Sequence, residues 1–256
     1  MEEKLYFVGI DVGTKSVRAA LVSNSGEVSC VNVTSISIIN SKPNFYEQSS
    51  KEIWKAVCTS VKRVVEGVNK TAVKGIGFDA TCSLVVLGED YSPVSVSKDG
   101  IDDHNIIMWM DHRAQKEAET INSKFYDILK FVGGKISLEM QLPKLLWLKR
   151  NLNESWKSAK HFFDLPDFLT FKATGNPSRS LCSLVCKWTY MCDGTLQGWD
   201  KAFLSDIGLH DLTENDFSKM GRIIVPPGEF VGALTGEAAE ELGLAEGTDV
   251  GASIID

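Results

Sequence analysis

Residues 6–18 read YFVGIDVGTKSVR, and this stretch decides the interpretation of the whole chain. A short apolar run ends in Asp11, and a second apolar run, residues 17–22, follows a polar segment with a glycine and two hydroxyls. Two apolar runs this close predict a β-hairpin from a buried sheet. We expect the turn to direct the backbone N–H groups of Gly13 and Thr14 outward. Unpaired amides beside hydroxyls and cations attract phosphate oxygens, so the hairpin predicts a phosphate site.

Asp11 stands at the end of the first predicted strand, beside this phosphate site. Mg²⁺ prefers carboxylate and phosphate oxygens. Asp11 is therefore a candidate ligand for Mg²⁺, directly or through water. An edge hairpin with a solvated aspartate and lysine accounts for the same spacing equally well, because short motifs also match by chance.

Length and composition bound the functions open to this chain. Its 256 residues fit one large domain or two small ones, and 43% hydrophobic with 24% charged residues is ordinary for a soluble globular protein. The net charge of −7 argues against a general nucleic-acid or anionic-membrane binder. We expect no signal peptide after the acidic N-terminus, and no membrane span, which needs about 18 apolar residues. These features predict a cytoplasmic protein and leave its oligomeric state open.

The six cysteines are scattered through apolar segments, which is typical of reduced thiols in a cytosolic core. Cys182, Cys186 and Cys192 lie close together in the sequence. They lack paired CxxC spacing and a nearby histidine, so a zinc site is disfavoured.

Apolar periodicity predicts a mixed α/β fold. After the hairpin, residues 28–39 are expected to form a third antiparallel strand. Ser49 and Glu52 form a capping box before a helix with one apolar face. The compact apolar run 73–78 predicts a buried parallel strand. Residues 79–83 would then lie at its carboxyl end, where open α/β sheets bind ligands.

The chain from residue 84 onward carries weaker patterns. They predict short strands at residues 84–87 and 106–109, and helices at 114–129, from Pro143 onward, at 161–173 and at 199–209.

Three polar positions in this part of the chain have a structural interpretation or an alternative. Lys187 is the single cation inside the apolar segment 180–190. A buried ammonium is costly unless something polar pairs with it, and the alternative is a lysine that snorkels from a half-exposed helix. Asp111 and Arg113 are expected to be a helix N-terminal carboxylate and a surface cation, with a structural role that braces the pocket.

The C-terminal residues 250–256 repeat the pattern of the first strand, because an apolar run again ends in a carboxylate, Asp256. A domain rarely stops where a strand meets a site, so this end is expected to be a truncation. A frayed tail with a solvated aspartate is the alternative.

Five segments together resemble the FGGY carbohydrate kinases. Residues 11–18 (DVGTKSVR) look like the phosphate-binding hairpin of that family, residues 109–113 (WMDHR) like its Trp-x-Asp-x-Arg segment, and residues 143–148 (PKLLWL) like its Lys-x-x-Trp helix. Residues 77–84 (GFDATCSL) and 180–188 (SLCSLVCKW) are similar to ribulokinase-type sequences at the sugar pocket. Several motifs in the right order are more specific than any one. The resemblance implies an actin-like, ribonuclease-H-like α/β fold, with a mixed sheet, three N-terminal antiparallel strands and flanking helices.

The resemblance covers residues 5–256 and implies a function. Residues 1–256 would be the N-terminal sugar-binding domain of a kinase about twice as long, whose C-terminal nucleotide-binding domain is absent and would be its partner. The implied reaction is ATP-dependent phosphorylation of a pentulose, with D-ribulose expected, and the implied cofactors are ATP and Mg²⁺. Family members take the proton from the sugar with an aspartate that matches Asp256, and Asp11 matches the position near Mg²⁺.

The other site residues follow from the same resemblance. Those implied at the phosphates of ATP are Gly13, Thr14, Lys15, Ser16 and Arg18. Those implied at the sugar are Cys82 and Lys187, with Asp79, Thr81 and Glu139 as weaker candidates. Cys82 is also consistent with a small core residue.

Two other functions stay open at this point. One is a non-catalytic sugar-binding or regulatory fragment, since half of a kinase is expected to lack appreciable activity by itself. The other is an actin- or chaperone-like nucleotide switch, which the sugar-pocket motifs disfavour.

Overall fold

The computed structural model describes residues 4–101, 103–193 and 196–256, and a mixed seven-stranded sheet carries the N-terminal hairpin. The strands are β1 (Tyr6–Val12), β2 (Ser16–Ser23), β3 (Val28–Ser35), β4 (Ile39–Lys42), β5 (Phe45–Gln48), β6 (Val73–Ala80), β7 (Leu84–Leu87), β8 (Ile106–Ile107), β9 (His161–Asp164), β10 (Arg179–Ser180), β11 (Met191–Asp193), β12 (Leu196–Gly198), β13 (Ile224–Val225), β14 (Phe230–Ala233), β15 (Asp249–Gly251) and β16 (Ile254–Ile255).

The helices lie between and around these strands. They are α1 (Ser50–Val64), α2 (Gln115–Asn122), α3 (Gln141–Asn151), α4 (Asn153–Ser158), α5 (Leu165–Thr174), α6 (Leu181–Lys187), α7 (Lys201–Asp206) and α8 (Gly236–Leu242), with short 3₁₀ turns at Lys70–Ala72, Asp127–Val132 and His210–Thr213. None of the described helices has the length and apolarity needed to cross a membrane.

The large sheet brings the start and the end of the chain together. Its strand order is β14-β15-β6-β1-β2-β3, and β16 also pairs with β6. The predicted antiparallel succession of β1, β2 and β3 is confirmed, as is the parallel pairing of β6 with β1. Because β16 is also parallel to β6, the carboxyl ends of β1, β6 and β16 meet at one edge of the sheet.

Alternation along the hairpin buries one face of this sheet. The inward residues of β1 and β2 belong to one apolar cluster with residues of α1, α5 and α8, and they are Val8, Ile10, Val12, Val17, Ala19 and Leu21. A period of two is what a sheet with one covered face requires. The opposite face of the sheet carries the alternate residues.

Helix α1 begins at the predicted N-cap. The Ser49 hydroxyl accepts the N–H of Glu52 at 3.3 Å, as in a capping box. The Glu52 carboxylate does not complete the box, because it accepts the N–H of Ser37 at 3.0 Å instead. This second bond ties the start of α1 to the segment that follows β3.

A second, five-stranded antiparallel sheet has the order β4-β5-β8-β7-β9, and of its strands only β7 and β8 were predicted. The third strand ends at Ser35 rather than at residue 39, and β4 and β5 form a hairpin that turns at Asn44, where φ is 71°. Strand β8 is also shorter than the predicted 106–109. Strand β7 matches the predicted 84–87, whereas β4 and β5 were missed, because their four residues each carry too little apolar periodicity to be recognised.

Two predicted helices are wrong in part. The first four residues of 161–173 form β9, which pairs with β7, because a short apolar run has no period that separates strand from helix. The helix predicted over 114–129 ends at Asn122, whose side chain bonds the N–H and C=O of Ile136 at 2.8 and 2.9 Å. Helix α3 begins before Pro143, which lies in its first turn.

Candidate active site

A cleft of about 720 Å³ opens at the edge where β1, β6 and β16 end. It is lined by the predicted residues Asp11, Gly13, Thr14, Lys15, Ser16, Arg18, Thr81, Cys82, Glu139, Lys187 and Asp256. Asp79 lies next to the cleft on β6, opposite Asp11 of β1. Trp109 also lines the cleft. The fold thus brings together side chains that are widely separated in the sequence.

The turn between β1 and β2 closes differently from the prediction. The N–H of Gly13 donates to the C=O of Ser16 at 3.0 Å, so the expectation that it points outward is wrong. Closing a tight antiparallel hairpin uses that donor. Asp11 and Arg18 face each other across the two strands, and Arg18 Nη1 donates to Asp11 Oδ2 at 2.7 Å. A cation and a carboxylate therefore flank the turn on its solvent side.

Two neighbouring side chains anchor this turn. Trp109 Nε1 donates to Thr14 Oγ1 at 3.0 Å, and Gln48 Nε2 donates to the C=O of Thr14 at 3.1 Å. Neither Trp109 nor Gln48 was among the predicted site residues. Trp109 begins the segment 109–113 noted in the sequence, so that motif was the available signal.

Three carboxylates converge at the mouth of the cleft. Asp11 pairs in register with Asp79, and β16 passes beside Asp79 just before Asp256. Burial, followed by the negative charges of Asp256 and Asp11, raises the pKa of Asp79. Asp79 Oδ1 is buried without a hydrogen-bond partner among the described residues. A cation bound among these three carboxylates would relieve the repulsion between their negative charges.

The carboxylates of Asp11 and Asp79 suit Mg²⁺ only if a bound phosphate completes the coordination of the ion. No group of three or more metal-ligating side chains is close enough to hold a metal within the described part of the chain. Mg²⁺ usually takes one or two carboxylates and completes its shell with water and substrate phosphate. Asp11 and Asp79 supply carboxylates of this kind at the cleft.

The chain matches the family model of the FGGY family of carbohydrate kinases, N-terminal domain, over residues 6–256. It belongs to this family. The sequence is 53% identical to an FGGY carbohydrate kinase domain-containing protein of Danio rerio over 98% of this chain. It is 46% identical to a D-ribulokinase of Saccharomyces cerevisiae over 99% of this chain. The chain covers 46% and 37% of these two proteins, so it spans half or less of the length of these relatives.

Solved structures of two sugar kinases share the fold. A ligand-bound xylulose kinase from Lactobacillus acidophilus superposes with a TM-score of 0.81 at 20% identity, over 98% of this chain and 48% of that protein. A gluconate kinase from the same organism gives 0.80 at 21% identity, over 98% of this chain and 48% of that protein. The predicted actin-like α/β fold is confirmed by this likeness, which carries no information about the substrate.

On the inner side of the cleft of this FGGY chain, Lys187 at the end of α6 approaches Cys82, just after β6. Lys187 is half-buried; burial opposes its charge, but Cys82, Glu139 and Asp164 raise its pKa above the ordinary value. Burial and then Asp164 raise the pKa of the Cys82 thiol above its ordinary value. The cleft thus offers an ammonium, a thiol and a carboxylate to a ligand with hydroxyl groups.

Buried polar residues behind Cys82 were missed by the sequence prediction. Gln141 Nε2 donates to Asp164 Oδ2 at 2.8 Å and to the C=O of Cys82 at 3.1 Å. Lys144 is fully buried, and its Nζ has no hydrogen-bond partner among the described residues. Burial lowers the pKa of Lys144 to about 8 and raises that of Asp164 to about 6. The segment 143–148 signalled this helix but not the burial of its lysine.

Asp167 of α5 connects the two elements that carry Lys187 and Asp256. Its Oδ1 accepts the N–H of Ser180, the N-cap of α6, at 2.8 Å and the hydroxyl of Ser253 at 3.0 Å. The Ser180 hydroxyl donates to the C=O of Ser253 at 2.6 Å. The helix of the lysine and the strand of the aspartate are therefore fixed relative to each other by one buried carboxyl group.

Asp167→Asn is expected to flatten the pH dependence of stability. Burial raises the pKa of Asp167 to about 7 in the folded chain, against roughly 3.9 when unfolded. Between these values the folded state binds more protons, so the free energy of unfolding falls as pH rises through this window. Urea unfolding measures how far the free energy of unfolding falls between pH 5 and pH 8. This fall should be smaller in Asp167→Asn than in the wild type by at least about 1.4 kcal/mol. The control is Asp127→Asn, at an exposed carboxylate, which should behave like the wild type. If the free energy of unfolding falls equally in all three proteins, Asp167 does not have the raised pKa.

The expectation for Arg113 is wrong. Its guanidinium is fully buried, not on the surface, and it pairs with Asp111 at 2.8 Å and with Glu47 at 2.9 Å. Asp111 lies before α2 and also accepts the N–H of Tyr46 at 2.7 Å. The structural role expected for this pair is confirmed, because these bonds join β5 to the segment that carries Trp109.

Proposed function

We propose that this chain is the sugar-side domain of an ATP-dependent kinase that phosphorylates a pentulose, converting D-ribulose to D-ribulose 5-phosphate. The observation that carries the proposal is that Asp256, Lys187 and the hairpin at Asp11 share one cleft. The 46% identity to a D-ribulokinase supports the choice of sugar. All six cysteines are free, although only Cys82 is buried, so the expectation that they lie in the core is wrong for the other five. Unpaired thiols support a cytoplasmic location, where thiols stay reduced.

Each group has a chemical task in this proposal. Phosphoryl transfer depends mainly on positioning and on stabilising the charge of the transferred group. Asp256 accepts the proton of the attacking sugar hydroxyl as general base. Arg18, Lys15 and the Thr14 N–H face the incoming phosphate. Mg²⁺, when bound at Asp11, neutralises phosphate charge.

The sugar would occupy the inner side of the cleft. Lys187 donates to its oxygens, Glu139 accepts from its hydroxyls, and the Thr81 hydroxyl donates or accepts. Cys82 and Trp109 form the less polar wall. A site built to bond hydroxyls discriminates strongly against analogues that leave its polar groups unpaired. The greater identity to a D-ribulokinase than to a xylulose kinase, 46% against 29%, favours D-ribulose over xylulose as the sugar that binds more tightly.

Calorimetry with the 256-residue chain tests the placement of the sugar. Lys187→Ala is expected to weaken D-ribulose binding at least tenfold, because hydrogen bonds to charged groups contribute about 1.5–3 kcal/mol. Arg18→Ala, on the phosphate side, is expected to change the Kd less than twofold. Equal weakening by both substitutions, or no effect of Lys187→Ala, would remove the sugar from this side of the cleft.

A chimera of residues 1–256 followed by the C-terminal half of the Danio rerio relative tests the reaction. We expect ADP release that depends on both ATP and D-ribulose in the chimera, and none from the chain alone. The second candidate is a non-catalytic sugar-binding or regulatory function. Sugar binding without turnover in a folded chimera would support this second function.

A further inference from the structure

A second opening, called the lysine pocket here, lies on the side of the large sheet that α1, α5 and α8 cover. It encloses about 540 Å³ between these three helices and the turn that follows β7. It shares no lining residue with the cleft that holds the candidate active site. The chemistry assigned to the cleft therefore leaves this pocket unexplained.

Four lysines line the lysine pocket. Lys51, Lys55 and Lys62 lie along α1, and Lys172 lies on α5. Only Lys51 forms an ion pair with an acidic group among the described residues, because its Nζ lies 2.7 Å from Asp103. Like charges one turn apart on a helix, such as those of Lys51 and Lys55, repel each other. An anion bound between these lysines would relieve the repulsion.

Less polar side chains form the inner wall of the pocket. Trp54 and Phe168 are buried, and Tyr91 and Pro93 are half-buried beside them. Trp54 Nε1 donates to Glu241 Oε2 at 2.6 Å, which fixes the indole ring and holds a carboxylate at the pocket. The pocket therefore combines cations, an aromatic wall and one acidic acceptor.

Tyr91 is held in a backbone conformation that tyrosine rarely adopts. Its φ is 60°, in the left-handed region, which is unfavourable for a bulky residue. Such residues persist only where surrounding contacts hold them, and they cluster at ligand sites. The Tyr91 ring packs against His161 and Phe171 at centroid distances of 4.1 and 4.4 Å. This part of the wall is therefore already in place before a ligand binds.

The pocket is longer than an inorganic anion. Lys51 and Lys62 are eleven residues apart on one helix, which corresponds to about 16 Å at 1.5 Å per residue. Lysine binds phosphate as a point charge. An apolar wall with a few polar groups that fix orientation is typical of a site for a small organic molecule. The lining of the pocket therefore indicates an organic phosphate.

We propose that the lysine pocket binds a purine nucleoside monophosphate. The phosphate lies among the lysines, the flat base lies against the wall of Trp54 and Tyr91, and Glu241 accepts an N–H of the base. A sugar phosphate fits less well, because its hydroxyl groups would lie unpaired against an aromatic wall. The inference is independent of the proposed function, since the pocket and the cleft are separate.

Calorimetry of the 256-residue chain with AMP as the probe tests this site. AMP is expected to bind at least about tenfold more tightly than adenosine or inorganic phosphate, because each of these fills only one part of the pocket. The double substitution Lys55→Ala, Lys172→Ala should weaken AMP binding roughly tenfold, since two exposed charge pairs are lost. The matched control Lys116→Ala, Lys157→Ala removes two exposed lysines of α2 and α4 and should leave the Kd unchanged.

A second pair of variants tests the pocket by shape rather than by charge. Cys58 lines the pocket, so Cys58→Phe should fill it and abolish AMP binding. Cys30→Phe, at an exposed thiol on β3, should not. A cooperative thermal transition shows that each variant is folded, and the lysine pair tests the site independently of Cys58→Phe.

Three results would overturn the proposal. The first is binding of inorganic phosphate as tight as that of AMP, and the second is equal weakening by the pocket and control lysine pairs. The third is loss of AMP binding in Arg18→Ala with retention in Lys55→Ala, Lys172→Ala, since AMP would then lie at the phosphate hairpin. D-ribulose binding is measured separately, so a failure of this site is distinguishable from a failure of the proposed function.

Discussion

Replacing Asp256 by asparagine is expected to lower the kcat of the chimera by roughly 10²–10⁴-fold while D-ribulose still binds. An amide has nearly the shape of a carboxylate but does not take up a proton from a hydroxyl group. Asp256 directly follows β16, which pairs with β6 at Asp79 and Ala80. The backbone therefore holds position 256 at the cleft, and the substitution removes the base with little change in geometry.

The measurement is ADP release at varied D-ribulose, which separates kcat from KM. Asp127→Asn, at an exposed carboxylate in a 3₁₀ turn that does not line the cleft, is the matched control and should leave both values unchanged. Asp11→Asn should instead raise the Mg²⁺ concentration needed for half-maximal rate. If Asp256→Asn retains more than about a tenth of kcat, general-base catalysis by this residue is ruled out, because such catalysis contributes at least about 10²-fold.

The parts of the fold that were predictable are those coded by local patterns. The hairpin of β1 and β2 and the parallel strand β6 have regular alternation or a compact apolar run between clear breaks. The N-cap of α1 depends on Ser49 and Glu52, which are close in sequence. The candidate site residues were predicted from the family motifs. The pairing of β6 with β1 and β16 explains why Asp11, Asp79 and Asp256 lie close together.

The features that escaped prediction depend on distant partners. Gly13 loses its free N–H to Ser16 only once the hairpin closes. Asp167 meets Ser253, and Gln141 meets Cys82, across 86 and 59 residues of sequence. No period or spacing encodes such pairs. The strand β9 escaped because the residue type alone does not decide between strand and helix in a short apolar run.

The contacts of Arg113 also depend on residues that are distant in the sequence. We expect its substitution to cause a large loss of stability. Its side chain is fully buried with the carboxylates of Asp111 and Glu47, and its Nε lies 2.9 Å from both oxygens of Asp111. The guanidinium also lies over the rings of Phe45 and Trp147, at 4.3 and 5.0 Å from their centroids. One planar cation therefore balances two acidic groups that have no access to water.

Arg113→Met is expected to lower the free energy of unfolding by roughly 3–5 kcal/mol, because it leaves buried carboxylates without their cation. Urea unfolding of the chain measures this loss. Lys124→Met breaks the exposed pair of Lys124 with Asp206, and the same measurement should show little or no change. The triple substitution of Arg113, Asp111 and Glu47 by Met, Asn and Gln should recover part of the loss, since no buried charge remains unpaired. If Arg113→Met is as mild as Lys124→Met, the buried cation does not hold this part of the fold together.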